Sequence, residues 1–286
     1  MMISCSRRTD IPAFYSNWFF NRLSEQYVQV ANPVNPGQIR KVSLAREDVD
    51  GIVFWTKNPA PMINRLHLLK DYPYYFLFTL TPYGRDIEPN LPPKSDLVET
   101  FLRLSEKIGK KRVVWRYDPI FLTDALSVEY HINHFGELAL RLAGYSEKCV
   151  ISFLDLYRHI QNRMASLSVR VPDETEILEF AGQIAGIARN AGMKVETCAE
   201  RIDLSFAGIS HGKCIDDILI SELTGIKFHA GKDKGQRKSC GCVASADIGQ
   251  YNTCAHLCKY CYANTGKQNV EKRMSLHNSS SPALTG

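Results

Sequence analysis

The sequence predicts an α/β fold: a partial (β/α)6-type TIM-like barrel carrying a C-terminal cysteine-rich loop. Three observations predict it. Short apolar runs rich in β-branched and aromatic residues recur about six times. Longer segments with helical apolar spacing separate them, and strands alternating with helices imply βα units and a parallel sheet. The alternative, a flat doubly wound sheet, carries a glycine-rich turn after its first strand, and this chain has none. With 286 residues, 44% of them hydrophobic, the chain has the apolar content for one large core and the usual size of such a barrel.

The strands expected, in order, are Met2–Cys5, Gly51–Thr56 (GIVFWT), Tyr74–Thr81 (YYFLFTLT), Arg112–Tyr117 (RVVWRY), Cys149–Leu154 (CVISFL) and Met193–Cys198 (MKVETC), with a further extended piece at Tyr27–Ala31. Helices are expected over Leu97–Ile108, where Leu97, Phe101, Leu104 and Ile108 form one stripe, over Tyr130–Leu142, and over Glu174–Asn190. Pro172-Asp173 opens the last of these and Gly192 follows it. Beyond residue 200 the texture changes. A short helix is expected at Ile215–Thr224, a solvated charged loop at Lys232–Lys238, and a cysteine-dense stretch at Cys240–Asn264. The organisation expected is a barrel core over 1–200, a cysteine-rich extension over 201–274 packed on it, and a polar tail over 275–286 expected to fray.

Composition bounds the function. No apolar run approaches membrane-spanning length, and Met1–Arg8 does not have the pattern of a signal peptide, so no membrane partner is expected. Seven of the nine cysteines fall after residue 190, and the total is odd. Metal ligation in a reducing cytoplasm explains this better than disulfides do. The net charge of +5 permits an anionic substrate and neither demands nor excludes nucleic acid.

The active site of a parallel barrel lies at the C-terminal ends of its strands. Here those ends run into Ser6-Arg7-Arg8-Thr9-Asp10, Trp55-Thr56-Lys57-Asn58-Pro59, Thr79-Leu80-Thr81-Pro82, Arg116-Tyr117-Asp118-Pro119, Asp155, and Glu196-Thr197-Cys198-Ala199-Glu200. One polar strand end is often only a cap or a turn. Six that deliver charge or hydroxyls to one rim point to a site. Arg7, Arg8 and Asp10, with Asp118 and Glu196, are the candidates for holding a small anionic or polar substrate, although Arg8 and Asp10 equally suit an internal pair.

The most specific signal is C-A-H-L-C-K-Y-C, which contains Cys254, Cys258 and Cys261. Three thiolates at C-x3-C-x2-C spacing fit three corners of a [4Fe-4S] cluster and leave one iron open, whereas a cluster that only carries electrons normally has four protein ligands. The competing reading is a zinc knuckle with His256 as its fourth ligand. The loop, with Tyr260 just before its last cysteine, resembles that of the radical S-adenosylmethionine superfamily, although there it normally follows the first strand and here it comes last. T-K after an apolar strand, T-L-T-P followed by E-P-N-L-P-P, and W-R-Y-D-P-I resemble, over residues 51–122, the spore-photoproduct-lyase-like members. Nearly the whole chain resembles domain-of-unknown-function family 1848, whose members open S-x-S-R-R-T-D-I-P, contain F-W-T-K-N-P and W-R-Y-D-P-I, and finish Y-N-T-C-x3-C-x2-C-Y-A-N.

The resemblance implies a radical enzyme that uses a [4Fe-4S] cluster and S-adenosylmethionine, with an electron donor such as ferredoxin or flavodoxin. On that reading Lys57 or Arg116 suits the cofactor's carboxylate, Thr56, Thr79 and Thr81 its amine or ribose, and Tyr260 its adenine. Lys57 also suits a plain surface lysine, and Arg116 an ion pair with Asp118 or Glu196. A second set, Cys198, Cys214, Cys240 and Cys242, has the ligand number of a closed site, either a second [4Fe-4S] cluster or zinc, against the alternative of scattered buried thiols. Cys149 is expected to pack in its strand, and Cys5 has no assigned role. His159, His211 and His256 are given no catalytic role. The runner-up function is a non-catalytic iron–sulfur or zinc module in electron transfer or nucleic-acid binding. It predicts a basic stripe with interleaved aromatics, and Lys227–Lys238 offers only Phe228. A zinc hydrolase is a weaker third reading, since no H-x3-H pair is present.

Overall fold

In the computed structural model, which describes residues 1–285, strands and helices alternate along most of the chain. The strands are β1 (Met2–Cys5), β2 (Tyr27–Ala31), β3 (Ile39–Ser43), β4 (Gly51–Thr56), β5 (Tyr74–Thr79), β6 (Val113–Ile120), β7 (Lys148–Phe153), β8 (Lys194–Thr197), β9 (Ser210–His211) and β10 (Ser245–Asp247). The helices are α1 (Ile11–Phe14), α2 (Ser16–Ser24), α3 (Ala60–Ile63), α4 (Lys94–Ile108), α5 (Val128–Leu142), α6 (Gln161–Ala165), α7 (Glu174–Asn190), α8 (Asp217–Thr224) and α9 (Lys267–Met274). Eight strands form one sheet in the order β10-β1-β4-β5-β6-β7-β8-β9, and every pairing in it is parallel. β2 and β3 form a separate antiparallel hairpin. Among the described residues no pairing joins β9 to β10, so the sheet is parallel α/β without a closed ring of hydrogen bonds.

Local chemistry explains the long helices. Asp173 and Glu176 close a capping box at the start of α7, and the Ser127 side chain accepts from the Tyr130 N–H at the start of α5. Helix α4 ends at Gly109, whose φ of 88° a side chain would resist.

Alternation along the strands then sorts side chains to two faces. Ile52 and Phe54, Phe76 and Phe78, Trp115 and Tyr117, and Cys149 and Ile151 pack with Phe101, Phe135 and Phe180 from α4, α5 and α7. Their neighbours Val53, Tyr75, Leu77, Val114 and Val150 pack on the other face against Leu219 and Ile220 of α8 and against Cys214, Cys240 and Cys242. The first face is thus an aromatic core, and the second is roofed by the cysteine-bearing segment. As expected, Cys149 is a buried core residue, and so is Cys5. No helix among the described residues is long and apolar enough to cross a membrane.

The tail departs from the expectation of fraying. Trp18 Nε1 donates to the Ser281 carbonyl at 3.0 Å, Asn21 Nδ2 to that of Ser279 at 2.9 Å, and Arg22 Nη2 to that of Ser280 at 3.1 Å. The Gln29 N–H donates to the Pro282 carbonyl at 2.8 Å, and Leu284 is buried. Its composition is polar, but its backbone carbonyls are what hold it to α2 and β2.

Candidate functional site

The C-terminal strand ends open on a cavity of about 550 Å³. Arg7, Arg8, Asp10, Thr56, Lys57, Thr79, Arg116, Asp118 and Tyr260 line it, as do Cys254, Cys258 and Cys261. Cys198, Cys240 and Cys242 line it too, so the two cysteine sets share one chamber. Three expected residues lie elsewhere. Thr81 is buried and donates to Glu88 Oε1 at 3.0 Å. Glu196 pairs with Lys148 at 3.0 Å, and the same lysine reaches Asp216 at 3.1 Å. Cys214 lies beneath the cavity wall, where its carbonyl accepts from the Tyr75 hydroxyl at 2.6 Å.

Two carboxylates fix the thiol loop to the rim. Asp10 caps α1 by accepting from the Ala13 N–H, and it also accepts from Thr56 Oγ1 at 2.7 Å and the Lys57 N–H at 2.7 Å. Its Oδ2 meets His256 Nε2 at 2.9 Å. Both oxygens are therefore fully engaged, and Asp10 and Thr56 hold β1, β4 and the thiol loop together rather than offering groups to a ligand. Glu88 is the second anchor. It pairs with Lys57 at 2.7 Å and with Lys94, and accepts from the hydroxyls of Thr81 and Tyr260. Burial works against its charge, but the two lysines outweigh that and hold its carboxyl down at about 2. Lys57 is thus neither a surface lysine nor a free cation, and the Tyr260 hydroxyl is already bonded. The ring of Tyr260 packs edge-on to Tyr83 at 5.9 Å.

Arginines dominate the middle of the cavity. Arg116 pairs with Asp118 at 2.5 Å, the first of the two ion pairs the sequence allowed, and lies 4.6 Å from the centre of the Trp55 ring. Burial disfavours its charge, but Asp118 and the nearby Cys214 and Cys198 keep it firmly protonated. Arg7 lies 5.6 Å from the same ring. Arg7 Nη2, Trp55 Nε1, Arg116 Nε, Thr9 Oγ1 and His256 Nδ1 are buried atoms with no hydrogen-bond partner among the described residues, and all five residues line the cavity. Convergent unsatisfied donors of this kind have the chemistry to hold an anionic or polar ligand. Arg8 instead lies over Tyr251 at 5.3 Å.

Asp247 on β10 secures the turn after β1. It accepts from Ser4 at 3.0 Å, Ser6 at 2.5 Å, the Arg7 N–H at 2.9 Å and the Gly249 N–H at 3.0 Å. Glu88 and Asp247 were missed by sequence reasoning, and Trp55 was placed at its strand end without a role. Glu88 stood inside the E-P-N-L-P-P segment, and strand alternation in GIVFWT points Trp55 to the cavity face, with Thr56 reaching the rim from the strand end. A three-residue strand such as β10 carries no periodicity from which to find Asp247.

The thiols differ in setting. Cys258 is buried, and Cys254 and Cys261 are half-buried. Burial pushes the Cys258 thiol up to about 12 although Lys57 pulls the other way, and burial together with mutual repulsion raises Cys254. A soft metal that replaces the protons would relieve that cost. In the second set, the sulfurs of Cys198 and Cys214 lie 3.1 Å apart, and Cys214, Cys240 and Cys242 belong to one buried cluster against which Cys198 packs. The four thus gather on one face of the sheet. Among the described residues no group of three or more His, Cys, Asp and Glu side chains is arranged to hold a single metal ion as it stands.

No curated protein matches this chain. The family model described as "Domain of unknown function (DUF1848)" does match, over residues 2–263, and the chain belongs to that family.

Proposed function

We propose that this chain is a radical S-adenosylmethionine enzyme acting on a small polar or anionic substrate, and that its parallel sheet is the partial barrel of such enzymes. The observation that supports this best is the sharing of one cavity by the three thiols of a single loop and by the unpartnered donors of Arg7, Trp55 and Arg116. The donor set fits the cofactor: three thiolates match a four-iron cluster with one iron left open. When bound, that cluster would supply the single electron for reductive cleavage of S-adenosylmethionine, with ferredoxin or flavodoxin as its source.

The chain's own residues then have distinct tasks. Arg116 and Arg7 bind carboxylate or other oxyanion groups, and Trp55 offers a flat face between them. Asp10 and Glu88 orient the thiol loop through His256 and Tyr260.

One observation favours a second reading. His256 has Nε2 on Asp10 and leaves Nδ1 free, the carboxylate–histidine arrangement common at zinc, and three thiolates plus this nitrogen would make a closed Cys3His site in a non-catalytic module. Anaerobic reconstitution with iron and sulfide separates the two. The radical-enzyme reading expects about four irons per chain at this loop, and 5′-deoxyadenosine on reduction with S-adenosylmethionine. Both should vanish in the Cys254, Cys258 and Cys261 triple alanine variant. Zinc alone at this loop, in protein never exposed to air, overturns the reading.

A further inference from the structure

We infer that Cys198, Cys214, Cys240 and Cys242 form a closed site for one zinc ion in the roof over the second face of the sheet. This does not rest on the function proposed above. The segments that carry the four thiols lie far apart in sequence yet meet in one place. Cys198 follows β8, Cys214 precedes α8, and Cys240 and Cys242 belong to the loop before β10.

Separation selects the occupant. Four thiolates on one tetrahedral zinc with bonds of about 2.3 Å stand about 3.8 Å apart. Thiolates on a four-iron cluster each bind a different iron and stand much farther apart. Cys198 and Cys214 at 3.1 Å, with Cys240 and Cys242 in the same buried cluster, are closer to the spacing of a single ion than to that of a four-iron cluster. The ion would draw Cys240 and Cys242 onto the Cys198–Cys214 pair, displacing the thiol protons as it binds.

The surroundings are built for thiolate. The Ile215 N–H donates to the Cys242 sulfur at 3.3 Å, and the positive charge of Arg7 acts on the same sulfur. Arg116 lies within the field of Cys198 and Cys214. Four thiolates on Zn²⁺ leave a net charge of minus two, which the guanidiniums of Arg7 and Arg116, themselves paired with Asp233 and Asp118, offset in part. Gly241 is what permits the approach. A Cβ there would lie 2.9 Å from the Gly212 carbonyl oxygen, so any larger residue would lift the Cys240–Cys242 clip off the strand-to-helix segment that carries Cys214.

The test uses the full chain with Cys254, Cys258 and Cys261 changed to alanine, so that only the second set remains. Purified without air, it should retain about one zinc per chain by elemental analysis. Replacing the zinc with cobalt should give the visible spectrum of a tetrahedral thiolate site, a readout that needs no further variant. Adding Cys242→Ser should abolish retention. Adding Gly241→Ala, which removes no ligand, should lower the chelator concentration that strips the metal by at least about tenfold, while Gly235→Ala should not. Iron with inorganic sulfide in place of zinc, a Cys198–Cys214 disulfide, or four freely reactive thiols with no metal would each overturn the proposal.

Discussion

The two faces of the sheet come from the same strands and do opposite work. On the helix-covered face, Phe54, Phe76, Phe78, Trp115 and Tyr117 sit among aromatics from α4, α5 and α7, and their only task is to fill space. On the other face the same strands carry Val53 and Tyr75 at depth, then Trp55, Thr79 and Arg116 where they open on the cavity. The difference teaches that the alternation of a strand, more than its end, decides which residue reaches a ligand. A buried face tolerates little change, whereas a cavity-facing side chain with no partner can change with little cost to the fold.

The comparison is broken most directly at Trp115. Its indole is fully buried, donates to the Leu80 carbonyl at 2.9 Å and stacks on Phe135 at 4.8 Å. Trp115→Ala should lower unfolding stability by about 3–5 kcal/mol, read as a lower denaturant midpoint at unchanged slope. A loss below about 1 kcal/mol, the size of an ordinary surface change, would contradict the account of a close-packed face.

The next effect tests the join between loop and rim. Glu88 is held at about 2 in the folded chain against an ordinary 4.5, so the unfolded chain takes the proton first. The stabilisation is fully present above pH 4.5, falls as the pH drops below that, and is lost by about pH 2. It is of order 3 kcal/mol. Denaturation of wild type and Glu88→Gln across this range should show a wide gap near neutrality that closes in acid. Parallel curves would show that the two lysines do not depend on this carboxylate.

Thr79 marks the small end. It lines the cavity, and its hydroxyl makes no hydrogen bond among the described residues. Thr79→Val should change stability by no more than about 0.5 kcal/mol. A larger loss in thermal or chemical unfolding would mean that the cavity face is packed as tightly as the helical one.

How much of this was legible depends on period and length. GIVFWT and YYFLFTLT were plain as strands, and α7 was bounded to the residue because Asp173 and Glu176 form a capping box. The shared rim was legible too, since parallel strands gather their C-terminal ends. What was lost was direction and partnership. Reading Thr81 and Glu196 as site residues followed strand ends without following the partners each takes, and Lys148 on the adjacent strand holds Glu196. Asp10 and Lys57 were correctly brought to the cavity, but their partners, His256 and Glu88, come from distant loops that no local pattern links. β10, at three residues, is too short to show alternation, and it becomes a strand only because β1 offers it an edge.

That pairing of β10 with β1 has a consequence for the order of synthesis. A ribosome makes β1 first and β10 after more than four-fifths of the chain, with β4 to β9 between them. Until then β1 has a bare edge, and the groups that Asp247 bonds, Ser4, Ser6 and the Arg7 N–H, wait in a turn with no partner. The nascent chain is therefore an open trough for most of translation, and whatever occupies the chamber is walled in only by its final stretch.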